Sequence, residues 1–325
     1  MRQYLTKRVL ACLLTIFLMM IFNFTLMRLA PGDPITAMLG EEHLHALTPE
    51  ARAEMMARYG LDQSIPRQFV TFISNLLRGD FGTSITMRRP VSGLIAERVI
   101  PTVVLGLIGM IFAGLIGTIL GVYCARKEGG IVDSIASVIM YTFNAFPGFW
   151  LALMLILIIG ANVGWIPIMG MTTGRVVLTG WAYVRDVARH MILPVLTMAI
   201  VSSPPYFRIA KSSVLQVMNE DFVNTFRATG MSESVIFRKY VFKNAILPTV
   251  TIAGMSLAFL ITGLMLVEIV FAWPGMGRLL QGGIMQRDYP VMMGILIVLS
   301  VSVTVFMLLL DLVSAILDPR IRITK

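Results

Sequence analysis

Asn224-Thr225-Phe226-Arg227-Ala228-Thr229-Gly230, followed by Asn244-Ala245-Ile246-Leu247-Pro248, is a polar island in an otherwise apolar chain. Runs long enough to cross a bilayer flank it on both sides, so the island reads as a connector between membrane helices. The 325 residues are 57% hydrophobic and 14% charged, with a mean hydropathy of +0.81. A soluble domain would carry about 25% charged residues. The composition excludes an ordinary soluble enzyme and predicts an all-α polytopic membrane protein.

Working outward, hydropathy predicts six spans, at 9–29, 101–123, 135–159, 191–209, 246–271 and 291–317. An even number places both termini on one side. Lys7, Lys127, Lys211, Lys239, Lys243 and Lys325 then share that side with Arg2, Arg8, Arg126, Arg208, Arg227, Arg238, Arg320 and Arg322. The two short opposite loops hold only Arg175, Arg185, Arg189, Arg278 and Arg287. Excess basic charge marks the cytoplasmic side, so both termini are expected there. The net charge of +9 is thus a topology signal and does not point to nucleic acid. Arg2, Lys7 and Arg8 precede a first run too long for a signal-peptide core, which predicts an uncleaved transmembrane helix. It ends at Pro31-Gly32-Asp33-Pro34.

Three regions follow: an N-terminal helix over 1–30, an extracytoplasmic loop region over 31–100, and a core transmembrane domain over 101–325. The core includes a cytoplasmic segment at about 211–245. In the loop region Thr48, Pro49 and Gly60 bracket a short helix. Phe69, Val70, Phe72, Ile73, Leu76 and Leu77 mark an amphipathic helix starting near Pro66. A weaker helical pattern runs from Val91 into the second span. A docking surface for an external partner and a folded cap on the bundle both fit.

Inside the spans, Gly109, Ala113, Gly117, Gly121 and Ala125 form a row of small residues suited to close helix packing, within the chain or against a partner. Asn144, Pro147 and Trp150 surround a proline bend in the third span and are candidate pathway-lining residues; a simple kink is the other reading. Pro194, Pro204 and Pro205 are expected to interrupt the fourth span, and His190 is placed at a helix start. Phe271 and Trp273 suit an interfacial belt. Glu268 must be paired or wet; structural pairing, with Arg278 as a candidate, is favoured over a gating role. Asp311 is expected to bond another helix.

Much chemistry is missing. No GxxxxGK[ST] loop occurs, so the chain is not expected to hold ATP by itself in the usual way, and energy is expected to come from elsewhere. His43, His45 and His190 form no HExxH, and no metal site is expected. Cys12 and Cys124 lie in apolar segments as structural thiols. No serine-nucleophile arrangement stands out around Gly254-Met255-Ser256, so the chain is not expected to be an enzyme.

In the island itself, Val214, Met218, Phe222 and Phe226 recur every four residues and predict one apolar stripe on a helix, with Asn224, Thr225 and Arg227 pointing elsewhere. Gly230 ends that helix. Ser232, Glu233 and Ser234 start a second, whose Arg238, Lys239 and Lys243 are expected to face the membrane surface. Periodicity leaves two readings open: a helix whose apolar anchors enter a groove on a partner, or one lying on lipid headgroups.

Thr225, Arg227, Ala228, Gly230, Asn244, Ala245 and Pro248 resemble the coupling motif of ABC-importer permeases of the oligopeptide/dipeptide/nickel permease family. The resemblance spans the chain. It includes Pro31-Gly32-Asp33-Pro34, Tyr59-Gly60-Leu61-Asp62, Gly79-Asp80-Phe81-Gly82-Thr83-Ser84, Phe271 to Gly277, Asp288-Tyr289-Pro290 and Asp318-Pro319-Arg320. Departures are Asn224 and Phe226 for arginine and alanine, Thr229 for lysine, Lys211 for arginine, and the Pro204-Pro205 pair. The resemblance implies the type I ABC importer permease fold with six transmembrane helices and a long helical extracytoplasmic loop after the first. It implies ATPase coupling through Met218, Phe222, Asn224, Thr225, Phe226, Arg227, Ala228 and Gly230. Pro31, Gly32, Asp33, Pro34, Glu268, Trp273, Pro274 and Gly275 would serve binding-protein docking or an outer gate. The implied partners are a second permease subunit, two ATP-binding subunits that hold ATP and Mg, an extracytoplasmic substrate-binding protein and membrane lipid. The setting would be a bacterial or archaeal cytoplasmic membrane. A peptide cargo is expected, with nickel or a metal chelate as the rival. A secondary carrier working without an ATPase is the alternative of another class.

Overall fold

A computed structural model of the chain describes residues 2–29, 48–58, 62–174, 177–258, 260 and 264–317. Pro31, Gly32, Asp33 and Pro34, the histidines His43 and His45, Tyr59, Gly60 and Leu61, and the motif Asp318-Pro319-Arg320 lie outside the described residues. Among the described residues the regular elements are helices, and the only β feature is an isolated antiparallel bridge between Thr83 and Pro90.

The order is α1 (Arg2–Leu29), α2 (Pro49–Arg58), α3 (Ile65–Leu77), α4 (Val91–Arg126), α5 (Ile131–Ala145) and α6 (Gly148–Leu155), which runs into a π turn (Ile156–Gly160). Then come α7 (Gly180–Met218), α8 (Asp221–Ala228), α9 (Glu233–Ile236), a second π turn (Phe237–Val241), α10 (Phe242–Ala245), α11 (Leu247–Ala258), α12 (Met265–Val270), α13 (Met276–Met285) and α14 (Tyr289–Leu317). Four helices among the described residues are long and apolar enough to cross a membrane: Thr6–Leu26, Val91–Arg126, Gly180–Met218 and Tyr289–Asp311. α5 and α6 make a fifth if they count as one broken span. The run expected over 246–271 is present as α11 and α12, with residues 259 and 261–263 between them outside the described set.

Two expectations are corrected. The third span is not one kinked helix: α5 and α6 meet at 107°. Phe146 and Pro147 are both extended, at ψ 138 and 134. A proline drives the residue before it out of the helical region, and here two extended residues in a row break the axis. The fourth span shows the reverse. Pro194, Pro204 and Pro205 all lie inside the unbroken 39-residue α7, and His190 lies in its body. Pro204 has no N–H for the Ile200 carbonyl, but the Ser203 hydroxyl donates to that oxygen at 3.3 Å. A local hydroxyl thus serves the group that proline orphans, which lets the helix continue.

The chain divides into two compact units. One comprises Met1–Pro101 and Gly275–Lys325. In it α1 packs on α14, and Arg8 pairs with Asp311 at 2.9 Å, so Asp311 does bond another helix. The Asp288 carboxylate accepts from the Ser84 hydroxyl at 2.6 Å, from the Thr86 hydroxyl at 2.8 Å and from the Thr86 N–H at 3.1 Å. Two family-like motifs some two hundred residues apart thereby form one buried node.

The other unit is Thr102–Pro274. Here the small-residue row is used inside the chain. A Cβ on Gly117 would meet the Ser203 carbonyl oxygen at 2.4 Å, and one on Gly121 the Phe207 oxygen at 2.5 Å. α4 and α7 therefore approach backbone to backbone, which only glycine permits. Asp133 at the start of α5 pairs with Lys211 of α7. One apolar core joins Leu105, Ala152, Met191, Leu193, Val267, Phe271 and Trp273; a second lies beneath the polar island.

Candidate coupling site

The island folds as a compact loop of short helices between α7 and α11. α7 stops at Met218, and Asn219 and Glu220 reverse the chain into α8. The expected single stripe over Val214, Met218, Phe222 and Phe226 is thus divided between two helices. Asp221 at the first turn of α8 and Arg227 at its last suit the helix dipole. Its end is a Schellman cap: Met231 N–H donates to the Phe226 carbonyl at 3.2 Å and Gly230 N–H to the Arg227 carbonyl at 3.0 Å. Gly230 takes φ +77, the left-handed conformation that side chains disfavour.

The two faces of α8 differ sharply. Val223 is buried, and Phe222 and Phe226 are half-buried against Ala125, Val214, Ile236, Val241 and Ala245. The rings of Phe222 and Phe226 meet edge to face at 6.1 Å, and Phe226 lies 4.2 Å from Tyr240 of the π turn. The Arg126 guanidinium at the end of α4 sits 4.5 Å over the Phe237 ring. These aromatics are spent on the chain's own core. Apolar anchors reaching into a partner groove, one of the two readings periodicity allowed, are therefore not what Phe222 and Phe226 supply here.

On the opposite face Asn224, Thr225, Arg227, Ala228, Thr229 and Gly230 are all exposed. Arg227 Nε donates to Glu233 Oε1 at 2.7 Å, and Nη1 to Asn224 Oδ1 at 3.2 Å. The charged hydrogen bond from Arg227 holds the Glu233 carboxyl below the usual carboxylate range. An exposed pair of this kind adds little to stability because solvent screens it; its effect is to hold a guanidinium in place. Asn244 donates to the Tyr240 carbonyl at 2.9 Å, so this motif residue ties α10 to the π turn. Arg238, Lys239 and Lys243 are exposed. The face offers fixed polar and cationic groups around a short helix.

The other predicted residues are dispersed. Asn144, Pro147 and Trp150 are exposed at the α5–α6 break, where Phe146 stacks on Trp150 at 4.6 Å. Glu268 and Trp273 are fully buried in the second unit, so they present no docking surface, and Phe271 and Trp273 belong to its core instead of an interfacial belt. The Thr102 hydroxyl donates to Glu268 at 2.6 Å, and the Trp273 N–H to the Glu268 carbonyl at 2.8 Å. Ala272 is held at φ +50 in the turn between them. Pro274 is half-buried, and buried Gly275 caps α13. A cavity of about 320 Å³ lies elsewhere, lined by Gly106, Met110, Met198, Ser202, Tyr206 and Ser256 among others. Tyr206 and Ser256 share a hydrogen bond of 2.9 Å across it.

Residues missed from sequence are Tyr240, Val223, Thr102 and the Lys211–Asp133 pair. Val223 carried a signal, being apolar in a polar stretch. The partners joined across the fold carried none.

Comparison with known proteins adds the following. Residues 117–323 match the family described as binding-protein-dependent transport system inner membrane component, and residues 1–106 match the N-terminal membrane component of the same systems. The chain is 35% identical over 326 residues to the glutathione transport system permease protein GsiC of Salmonella typhimurium, covering 99% of each. It is 34% identical over 322 residues to the oligopeptide transport system permease protein AppB of Bacillus subtilis, again covering 99% of each. It is 32% identical over 342 residues to the dipeptide transport system permease protein DppB of Escherichia coli, covering 100% of each. Among solved structures, an inward-facing MetNI methionine ABC transporter aligns with a TM-score of 0.54 at 20% identity. That match covers 69% of this chain and 96% of the other, and it shows a shared fold.

Proposed function

Because the chain belongs to the family of binding-protein-dependent transport system inner membrane components, we propose that it carries peptides across a bacterial cytoplasmic membrane as one permease subunit of an ABC importer. ATP hydrolysis in such a system is performed by separate subunits, and a binding protein and a second permease complete it. The proposed assembly is a heterodimer of permeases with two ATP-binding subunits, with both termini of this chain in the cytoplasm. The names of the three relatives above support a small peptide cargo, glutathione included, over the nickel alternative.

One observation carries the coupling role: the split of α8 into an apolar face packed on its own chain and an exposed face of Asn224, Thr225, Arg227 and Ala228. Met218 and Phe222 join α8 to the ends of α4 and α7. A push on the exposed face would therefore move those helices as a body, whereas a loosely held loop would absorb it. The cavity beside Tyr206 and Ser256 is a proposed segment of the cargo route, and the break at Asn144, Pro147 and Trp150 a proposed part of its lining. Buried Glu268, Trp273 and Gly275, with half-buried Pro274, are proposed to close an outer gate. Docking of the binding protein is proposed near Pro31, Gly32, Asp33 and Pro34. The N-terminal helix and residues 31–100 are proposed as a region apart from the core domain of 101–325; the two family matches meet between residues 106 and 117.

The test is peptide uptake in cells lacking the ATP-binding subunits. Loss of uptake fits the importer. Uptake that survives would establish a carrier working alone.

A further inference from the structure

α3 is thirteen residues long with an apolar arc of Phe69, Val70, Phe72, Ile73, Leu76 and Leu77, opposite Arg67, Thr71, Ser74 and Asn75. None of its residues is fully buried, and Val70 and Leu77 are 66% and 83% exposed. One edge of the arc meets α1: the Phe69 ring lies 6.4 Å from Phe17 and 5.2 Å from Phe24, and Phe72 lies 5.8 Å from Phe24. The other edge, with Val70 and Leu77, is uncovered.

The depth of those contacts decides what covers it. The stretch Thr6–Leu26 of α1 is apolar enough to cross a membrane, and little of it is buried by the chain. At 1.5 Å per residue, Phe24 lies roughly 8 Å and Phe17 about 18 Å below the level of Leu29 at the end of the helix. Helical side chains lean toward the N-terminus, which carries both rings deeper. Phe69 touches both, so its ring is inside the hydrocarbon, and α3 sits within one side-chain length of it. That depth is where an amphipathic helix rests when it lies in a membrane interface, with its apolar face about 5–10 Å into the acyl boundary.

We propose that α3 is an in-plane interfacial helix, with Val70 and Leu77 against phospholipid acyl chains in the leaflet beside the Leu29 end of α1. The uncovered edge continues the lipid-facing surface of α1, and Arg67 on the polar side reaches the headgroups. α3 then anchors the loop region in the bilayer, and the surface left for an external partner is confined to the rest of that region.

The test uses the assembled transporter in lipid nanodiscs, in a background with Cys12→Ser and Cys124→Ala. Val70→Cys, Leu77→Cys and Arg67→Cys each receive an environment-sensitive fluorophore. Nitroxide-bearing phospholipid should quench the labels at 70 and 77 several-fold more than aqueous iodide does, with the order reversed at 67. Iodide quenching at 70 and 77 equal to that at 67 would overturn the proposal by placing the face in water. Protection of both labels from both quenchers would also overturn it, by assigning the face to a protein partner. Two independent label sites guard against one variant failing to assemble. Peptide uptake measured for the same variants after reconstitution into sealed proteoliposomes keeps this outcome separate from the importer reading.

Discussion

Phe226 of α8 and Tyr240 of the second π turn hold their rings 4.2 Å apart, clamping the short helix to the segment that leads into α11. The clamp makes α8 part of a solid body. Its inner face holds position, and its outer face is exposed.

Phe226→Ala should loosen that clamp. An aromatic pair is worth about 0.5–1.5 kcal/mol beyond the area it buries. In the reconstituted transporter, residues 219–232 should become more sensitive to protease, and ATP hydrolysis should proceed with less peptide uptake. Phe226→Leu should restore part of the coupling. Unchanged cleavage and uptake in Phe226→Ala would show that the clamp has no mechanical role.

Gly230→Pro and Ala228→Glu address the outer face in different ways. Gly230 sits at φ +77, whereas proline is fixed near −65, so the first variant disrupts the cap. Ala228 is exposed and Ala228→Glu leaves the packing alone. Both should insert normally and lose uptake. The ATP-binding subunits should co-purify less with Ala228→Glu; normal recovery together with normal uptake would remove this face from the interface.

Gly117→Val should be the most damaging single change in the small-residue row, since its Cβ would meet the Ser203 carbonyl oxygen at 2.4 Å. Overpacking costs about 1–3 kcal/mol and more where backbone must move. The expected result is a large fall in thermal stability in detergent. Gly93→Ala, where an added Cβ meets nothing within 4 Å, is the control and should fold.

Thr102→Val removes a donor to buried Glu268. Leaving a buried polar group short of a partner costs about 1–3 kcal/mol. Thermal unfolding should show the loss, and Thr102→Ser should recover most of it.

Asp288 gives a pH prediction. Burial pushes its carboxyl up, but hydrogen bonds from Ser84 and Thr86 outweigh this, and the folded value lies below the ordinary one. A depressed carboxylate pKa stabilises the fold above the unfolded value of about 3.9. That contribution is lost as the pH falls through the lower folded value. Between pH 5 and 3 the wild type should therefore lose thermal stability more steeply than Asp288→Asn. Equal slopes would mean that the node holds no linked proton.

Hydropathy located α1, α4, α7 and α14 because the cost of placing polar groups in hydrocarbon is paid residue by residue and needs no knowledge of neighbours. The island was legible for the same reason, and Gly230 because a left-handed cap is a local demand. Proline was a poor guide. Pro147 breaks its helix and Pro204 does not, because Ser203 answers the freed carbonyl in one case while two extended residues follow each other in the other.

By itself the sequence determined a helical membrane chain and the position of its polar connector, since both follow from composition and short-range pattern. Tertiary structure alone decided which face of α8 is free, because Phe222 and Phe226 turn inward only once α4, α7 and the π turn supply a core to receive them. It also joined Ser84 to Asp288 and Thr102 to Glu268. Those pairs depend on the path of the chain between them, and no local spacing encodes that path.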